Sequence, residues 1–95
     1  MNVSDTDVFK ALTELIVMSE EEDGIYLYNF NTGREYTTNN TGKEILELCG
    51  DKTVREIAEI MAERHEGDFD FVLQDVKNFF EMVLEAGFVE KGDTE

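Results

Sequence analysis

Ninety-five residues with 41% hydrophobic side chains fit one domain, 1–95, with a single modest core and no room for a second. Eight basic against 23 acidic residues give a formal net charge of −15, which argues against free nucleic acid and anionic membranes as partners, since both are bound through Lys and Arg. Cys49 is the lone cysteine, which excludes an internal disulfide, and the N-terminus has no basic stretch leading into a long apolar run, so the expected location is the cytoplasm.

Residues 1–10 are polar, and Ser4 with Asp7 three positions later either caps a short helix through Leu12 or belongs to a loosely ordered lead-in. The mostly apolar, β-branched stretch from Leu12 predicts a first strand ending near Met18, followed by an acidic turn at Glu20 to Gly24. The strongest strand signal is Gly24 to Phe30, rich in aromatics, and Asn31-Thr32-Gly33 after it supplies the positive-φ residues of a tight hairpin. Arg34 to Thr38 is the returning strand of an antiparallel meander. Tyr26, Tyr28 and Tyr36 read as sheet packing residues, because a base-stacking platform wants basic neighbours that are missing.

Helical spacing begins after the hinge. A first helix is predicted over Asn40 to Leu48, capped by Asn39 or Asn40, with Ile45 and Leu48 inward and Gly50-Asp51 as its stop. Thr53-Val54-Arg55-Glu56 is a capping box opening a second helix that carries Val54, Ile57, Ile60 and Met61 on one face and ends near His65-Glu66-Gly67. The third runs from Phe71 to Ala86, with Asp70 as cap, Gly87 as a left-handed stop and Phe88-Val89 as a short extended tail before a flexible end at 91–95. Its apolar arc from Phe79 through Val76 to Leu73 covers about 140°, wider than the roughly 100° that docking on a core requires. Phe71 and Met82 lie beyond the Phe79 edge of that arc. The fold class is therefore α+β: a three-stranded antiparallel β-meander followed by three α-helices.

Catalytic chemistry is not legible. One His and one Cys make no metal cluster, no serine sits in a nucleophile elbow, and no glycine run cradles phosphate. Asp68-Phe69-Asp70 starts like a calcium loop but lacks the later ligands, so it reads as a helix start. His65 suits the end of a helix dipole, and Cys49 suits a small core position. The expectation is a protein that is not an enzyme and holds no metal or cofactor.

The ordered set Gly33-Arg34-Glu35-Tyr36, Asn39-Asn40-Thr41-Gly42-Lys43-Glu44-Ile45-Leu46-Glu47-Leu48-Cys49, Thr53-Val54-Arg55-Glu56-Ile57, Asp75-Val76-Lys77-Asn78-Phe79-Phe80 and Gly87-Phe88-Val89 resembles the PqqD family over about residues 24 to 90. Two positions depart from the family pattern: Thr38 stands where Leu is usual, and Gly50-Asp51 replaces Asp-Gly. The resemblance implies a winged-helix-like recognition element for ribosomally made, modified peptides. Such a peptide chaperone binds the leader of a precursor peptide and presents it to a modifying enzyme, commonly a radical S-adenosylmethionine (radical SAM) protein.

By that resemblance the peptide adds as a strand beside Arg34, Glu35, Tyr36, Thr37 and Thr38. Phe71, Asp75 and Phe79 on one edge of the third helix form the facing wall. The protein would be a monomer or a homodimer. Two other readings stand beside this one: a winged-helix transcriptional regulator, which the sparse basic residues of Arg55, Arg64 and Lys77 disfavour, and an acidic protein-interaction domain without a peptide groove.

Overall fold

The computed structural model describes residues 3–92 and shows the element order β1 (Phe9–Ala11), β2 (Ile16–Glu21), β3 (Gly24–Asn29), β4 (Glu35–Asn39), α1 (Asn40–Leu48), α2 (Val54–His65), α3 (Phe69–Ala86) and β5 (Val89–Lys91). Strands β2, β3 and β4 form the expected antiparallel meander in that spatial order, while β1 and β5 pair antiparallel as a separate ribbon. The α+β class holds.

On β3 burial alternates with the pleat. Ile25, Leu27 and Asn29 are buried on the helix side, whereas Tyr26 and Tyr28 are half-exposed on the outer face. The helices close over the inner face, and Val54, Ile57, Met61, Val76, Phe80 and Val83 join Leu27 and Ile45 in one apolar core. The capping box of α2 is formed as expected, with Thr53 Oγ1 accepting from Glu56 N at 3.1 Å and Glu56 Oε1 accepting from Thr53 N at 2.8 Å.

The N-terminal segment corrects the sequence reading. Neither the short helix through Leu12 nor a loose lead-in describes its residues from 3 onward: Ser4 and Asp7 make a turn, and β1 follows with Phe9 fully buried and stacked on Phe80 at 4.6 Å. The cause lies in α2. Its first amides need acceptors, and the carbonyls of Asp7 and Asp5 take the N–H groups of Val54 and Arg55 at 2.9 and 3.0 Å. Residues 1 and 2 lie outside the described residues. At the other end Val89–Lys91 pairs with β1, so the extended tail is a strand, and of the expected flexible end 93–95 lies outside the described residues.

Three boundaries also move. Strand β2 begins at Ile16, after a turn closed by Leu15 N donating to Leu12 O at 2.8 Å, and continues through Glu21, because pairing with β3 outweighs the weak strand preference of its glutamates. The turn is thus only Glu22-Asp23. Helix α3 starts two residues early, capped by Asp68, whose carboxylate accepts from Phe71 N at 3.1 Å; Asp70 lies inside the helix. In the β3–β4 loop only Gly33 has positive φ, and Asn29 sets the turn by accepting from Asn31 N and Thr32 N at 2.7 and 3.1 Å.

Candidate peptide-binding cleft

Strand β4 is the terminal strand of the meander, so one of its edges has no partner strand in the sheet. The backbone bond from Asn29 N to Arg34 O at 2.9 Å, with the register Leu27↔Tyr36 and Ile25↔Thr38, marks which residues bond inward. Antiparallel alternation then turns the main-chain N–H and C=O of Glu35 and Thr37 towards the open edge. The side chains of Glu35 and Thr37 are exposed, whereas those of Tyr36 and Thr38 are half-buried and face the helices. One strand thus offers two sets of groups, main chain from alternate residues and side chains from the others.

Across from β4 stands α3, and between them runs a cleft of about 430 Å³. Tyr36 and Thr38 line it from the sheet, Asp75, Asn78, Phe79 and Met82 from α3, and Thr41, Gly42 and Ile45 from α1. The close approach of three elements at its floor depends on Gly42: a Cβ there would stand 2.2 Å from Thr38 Oγ1 and 2.9 Å from Phe79 Cε1. The departure from the family pattern at Thr38 therefore sits directly against Gly42. Asn39 holds the start of α1, its Oδ1 accepting from Gly42 N at 3.0 Å.

A second recess of about 260 Å³ continues past Asp75 and is lined by Ile45, Met61, Val72 and Val76, with Thr41 and His65 at its rim. Beside it Glu44 joins α1 to α2 by accepting from Arg64 Nη1 at 2.6 Å and lying 2.9 Å from His65 Nε2. The Arg64 guanidinium, then His65, holds the Glu44 carboxyl below the usual carboxylate range. His65 therefore pairs with a carboxylate at the end of its helix. Cys49, partly buried against the core with its thiol donating to Leu46 O at 3.1 Å, has its pKa raised by burial.

The residues expected from the sequence divide. The structure brings Tyr36, Thr38, Asp75 and Phe79 together along the cleft. Phe79 is 7% exposed and edge-packed on Phe80, so it is floor and core at once. Glu35 and Thr37 lie on the same strand with side chains turned away, and Arg34 precedes β4 at the hairpin. Phe71 is 70% exposed and lies outside the lining of both recesses. Asn78 and Met82 were missed. They recur at i+3 and i+7 from Asp75, the helical spacing that places all three on one stripe, and Met82 is 51% exposed.

Residues 14–89 match the family model described as coenzyme PQQ synthesis protein D, PqqD. The chain belongs to the PqqD family. Two solved structures share its fold. One is TbiB1 in complex with the TbiA(beta) leader peptide, at a TM-score of 0.76 and 21% identity, covering 90% of this chain and 99% of that one. The other is the solution structure of the PqqD truncation of Methylobacterium extorquens PqqCD, a stand-alone recognition element for ribosomally synthesized and post-translationally modified peptides, at 0.78 and 19%, covering 93% of this chain and 94% of that one. No curated protein matches the chain. Among the described residues no helix is long and apolar enough to cross a membrane, and no group of three or more His, Cys, Asp or Glu is placed to hold a metal.

Proposed function

We propose that this PqqD-family chain is a non-enzymatic recognition element, acting as one domain, that binds the leader of a ribosomally made precursor peptide and presents it to a modifying enzyme of the radical SAM type. The observation that carries the reading is the open edge of β4 facing α3 across a continuous cleft. A leader strand adding to that edge takes main-chain hydrogen bonds from Glu35 and Thr37, while its alternate side chains enter the cleft beside Tyr36, Thr38, Asp75 and Phe79. Arg34 borders one end of the edge, and Phe71 extends the α3 stripe by one turn beyond Asp75. Family membership and the leader-bound relative of the same fold support this reading.

The test is titration of the isotope-labelled chain with candidate precursor peptides, taken from genes adjacent to its own where these exist, followed by NMR. Binding should shift amides of residues 34–39 and of α3 and slow the exchange of the Glu35 and Thr37 N–H groups. Shifts confined to α1 and α2 would move the site elsewhere, and absence of binding would remove the reading. Co-purification with a radical SAM enzyme, should one be encoded nearby, strengthened by the peptide, tests the presenting role.

A further inference from the structure

The cleft carries a charge that nothing among the described residues answers. Asp75 is exposed at the junction of the two recesses, which share Thr41, Ile45 and Asp75. Among the described residues it makes no ion pair and no side-chain hydrogen bond. Nearby cations on the helices are engaged by other carboxylates: Lys43 by Glu20 at 2.5 Å, Arg64 by Glu44 at 2.6 Å and Lys77 by Asp5 at 2.5 Å, and the His65 ring also lies against Glu44 at 2.9 Å. In a chain of net charge −15 an unanswered carboxylate between apolar walls favours a cationic ligand group over a neutral or acidic one.

Apolar residues flank Asp75 on both sides, Val72 and Met61 on one and Phe79 and Met82 on the other, with Ile45 shared by the two recesses and Asn78 and Thr38 adding polar groups on the Met82 side. Along α3, Val72 stands about 4.5 Å before Asp75 and Phe79 about 6 Å after it. Residues i−2 and i+2 of a strand, which point to the same face as residue i, lie about 6.6 Å to either side of it. The two spacings are close.

We infer that the leader segment seated in the cleft carries Lys or Arg opposite Asp75, with a large apolar residue two positions away on each side. This rests on the peptide-binding reading above and names the chemistry of its ligand. A basic residue fits a wall of this kind, because its methylene stem packs on Val72 or Met82 while its charged head meets the carboxylate.

The experiment is selection from a displayed library of random 12-residue peptides on the immobilised full chain, run in parallel on the wild type, Asp75→Asn, Asp75→Lys and Glu63→Gln. Circular dichroism confirms that each variant is folded. The wild type and Glu63→Gln should enrich the apolar-x-basic-x-apolar pattern. Replacing the basic residue of an enriched peptide by Ala should weaken binding to wild type by about tenfold but to Asp75→Asn by less than about twofold, and Asp75→Lys should turn the preference acidic. Wild-type peptides without the basic residue, or a basic preference that survives Asp75→Asn, would overturn the inference and leave the peptide site standing. Loss of the preference in Glu63→Gln would overturn it too, by showing a response to overall charge. No enrichment on the wild type would overturn the peptide site itself.

Discussion

The Asn29 side-chain amide donates to the Gly87 carbonyl at 2.6 Å, joining the end of β3 to the stop of α3 across 58 residues of chain. Asn29 is 2% exposed and its Oδ1 also holds the β3–β4 turn through Asn31 N and Thr32 N. Gly87, at φ 88°, ends α3 in the left-handed region that glycine adopts without strain. One side chain therefore fixes both walls of the cleft, the hairpin leading into β4 and the C-terminal end of α3.

Asn29→Leu should destabilise the fold by about 2–3 kcal/mol, since the Gly87 carbonyl and two turn amides lose a buried partner. Urea unfolding followed by circular dichroism measures it. A loss under about 0.5 kcal/mol would show that water replaces the amide at no cost.

Gly42→Ala should cost about 1–3 kcal/mol, because the new methyl would stand 2.2 Å from Thr38 Oγ1 and 2.9 Å from the buried Phe79 ring, so that one or both must shift. The double variant Gly42→Ala with Thr38→Ala removes the Thr38 Oγ1 contact and leaves that of the Phe79 ring, and it should recover part of the loss. Thermal denaturation of the single and double variants, compared with wild type, reads the coupling.

Phe71→Ala should leave stability within about 0.5 kcal/mol of wild type, as expected for a side chain 70% exposed. If the leader runs on along the α3 stripe past Asp75, the same change weakens peptide binding by about 1 kcal/mol or more. Calorimetric titration of wild type and variant decides this. Unchanged affinity would confine the site to the stretch from Asp75 to Met82.

The Glu44 carboxyl has its folded-state pKa depressed by Arg64 and His65. A depressed carboxylate stabilises the fold at pH above its unfolded value, and that contribution disappears as pH falls through the folded-state value. Arg64 and His65 are half-exposed, so water screens the pair and the contribution stays below about 1 kcal/mol. The stability difference between wild type and Glu44→Gln should therefore shrink between neutral pH and the acid side of the carboxylate range. A difference independent of pH would mean that the contact stabilises by packing alone.

Burial raises the Cys49 thiol pKa, so at neutral pH the group stays protonated and its alkylation is slow. Iodoacetamide labelling of the native chain should be at least about tenfold slower than in urea. Equal rates would place the thiol in solvent.

Much of this molecule is legible locally. The aromatic run of β3, the Thr53–Glu56 capping box, Asn39 before α1 and Gly87 after α3 are each specified by neighbours in sequence, through hydrogen bonds or φ preferences that span at most four residues. The same reasoning placed Asp75 and Phe79 on one edge of the third helix, because helical spacing is a property of a single element. It could not rank Phe71 against Met82. Both lie on that edge, and only the position of β4 along α3 decides which one meets the cleft.

The N-terminus shows where local reasoning ends. Nothing in Val3 to Ala11 announces a strand, since its order comes from the α2 amides, from β5 some 80 residues later and from the ring of Phe80. The sequence by itself determined the three meander strands, the three helices, their α+β order and the acidic character of the chain, all set by short-range periodicity and composition. The tertiary structure alone decided that β4 keeps an open edge, that Gly42 lets Thr38 and Phe79 both approach α1, and that Asp75 has no cation paired with it among the described residues. Those are relations between residues far apart in the chain, and they exist only once the core has closed.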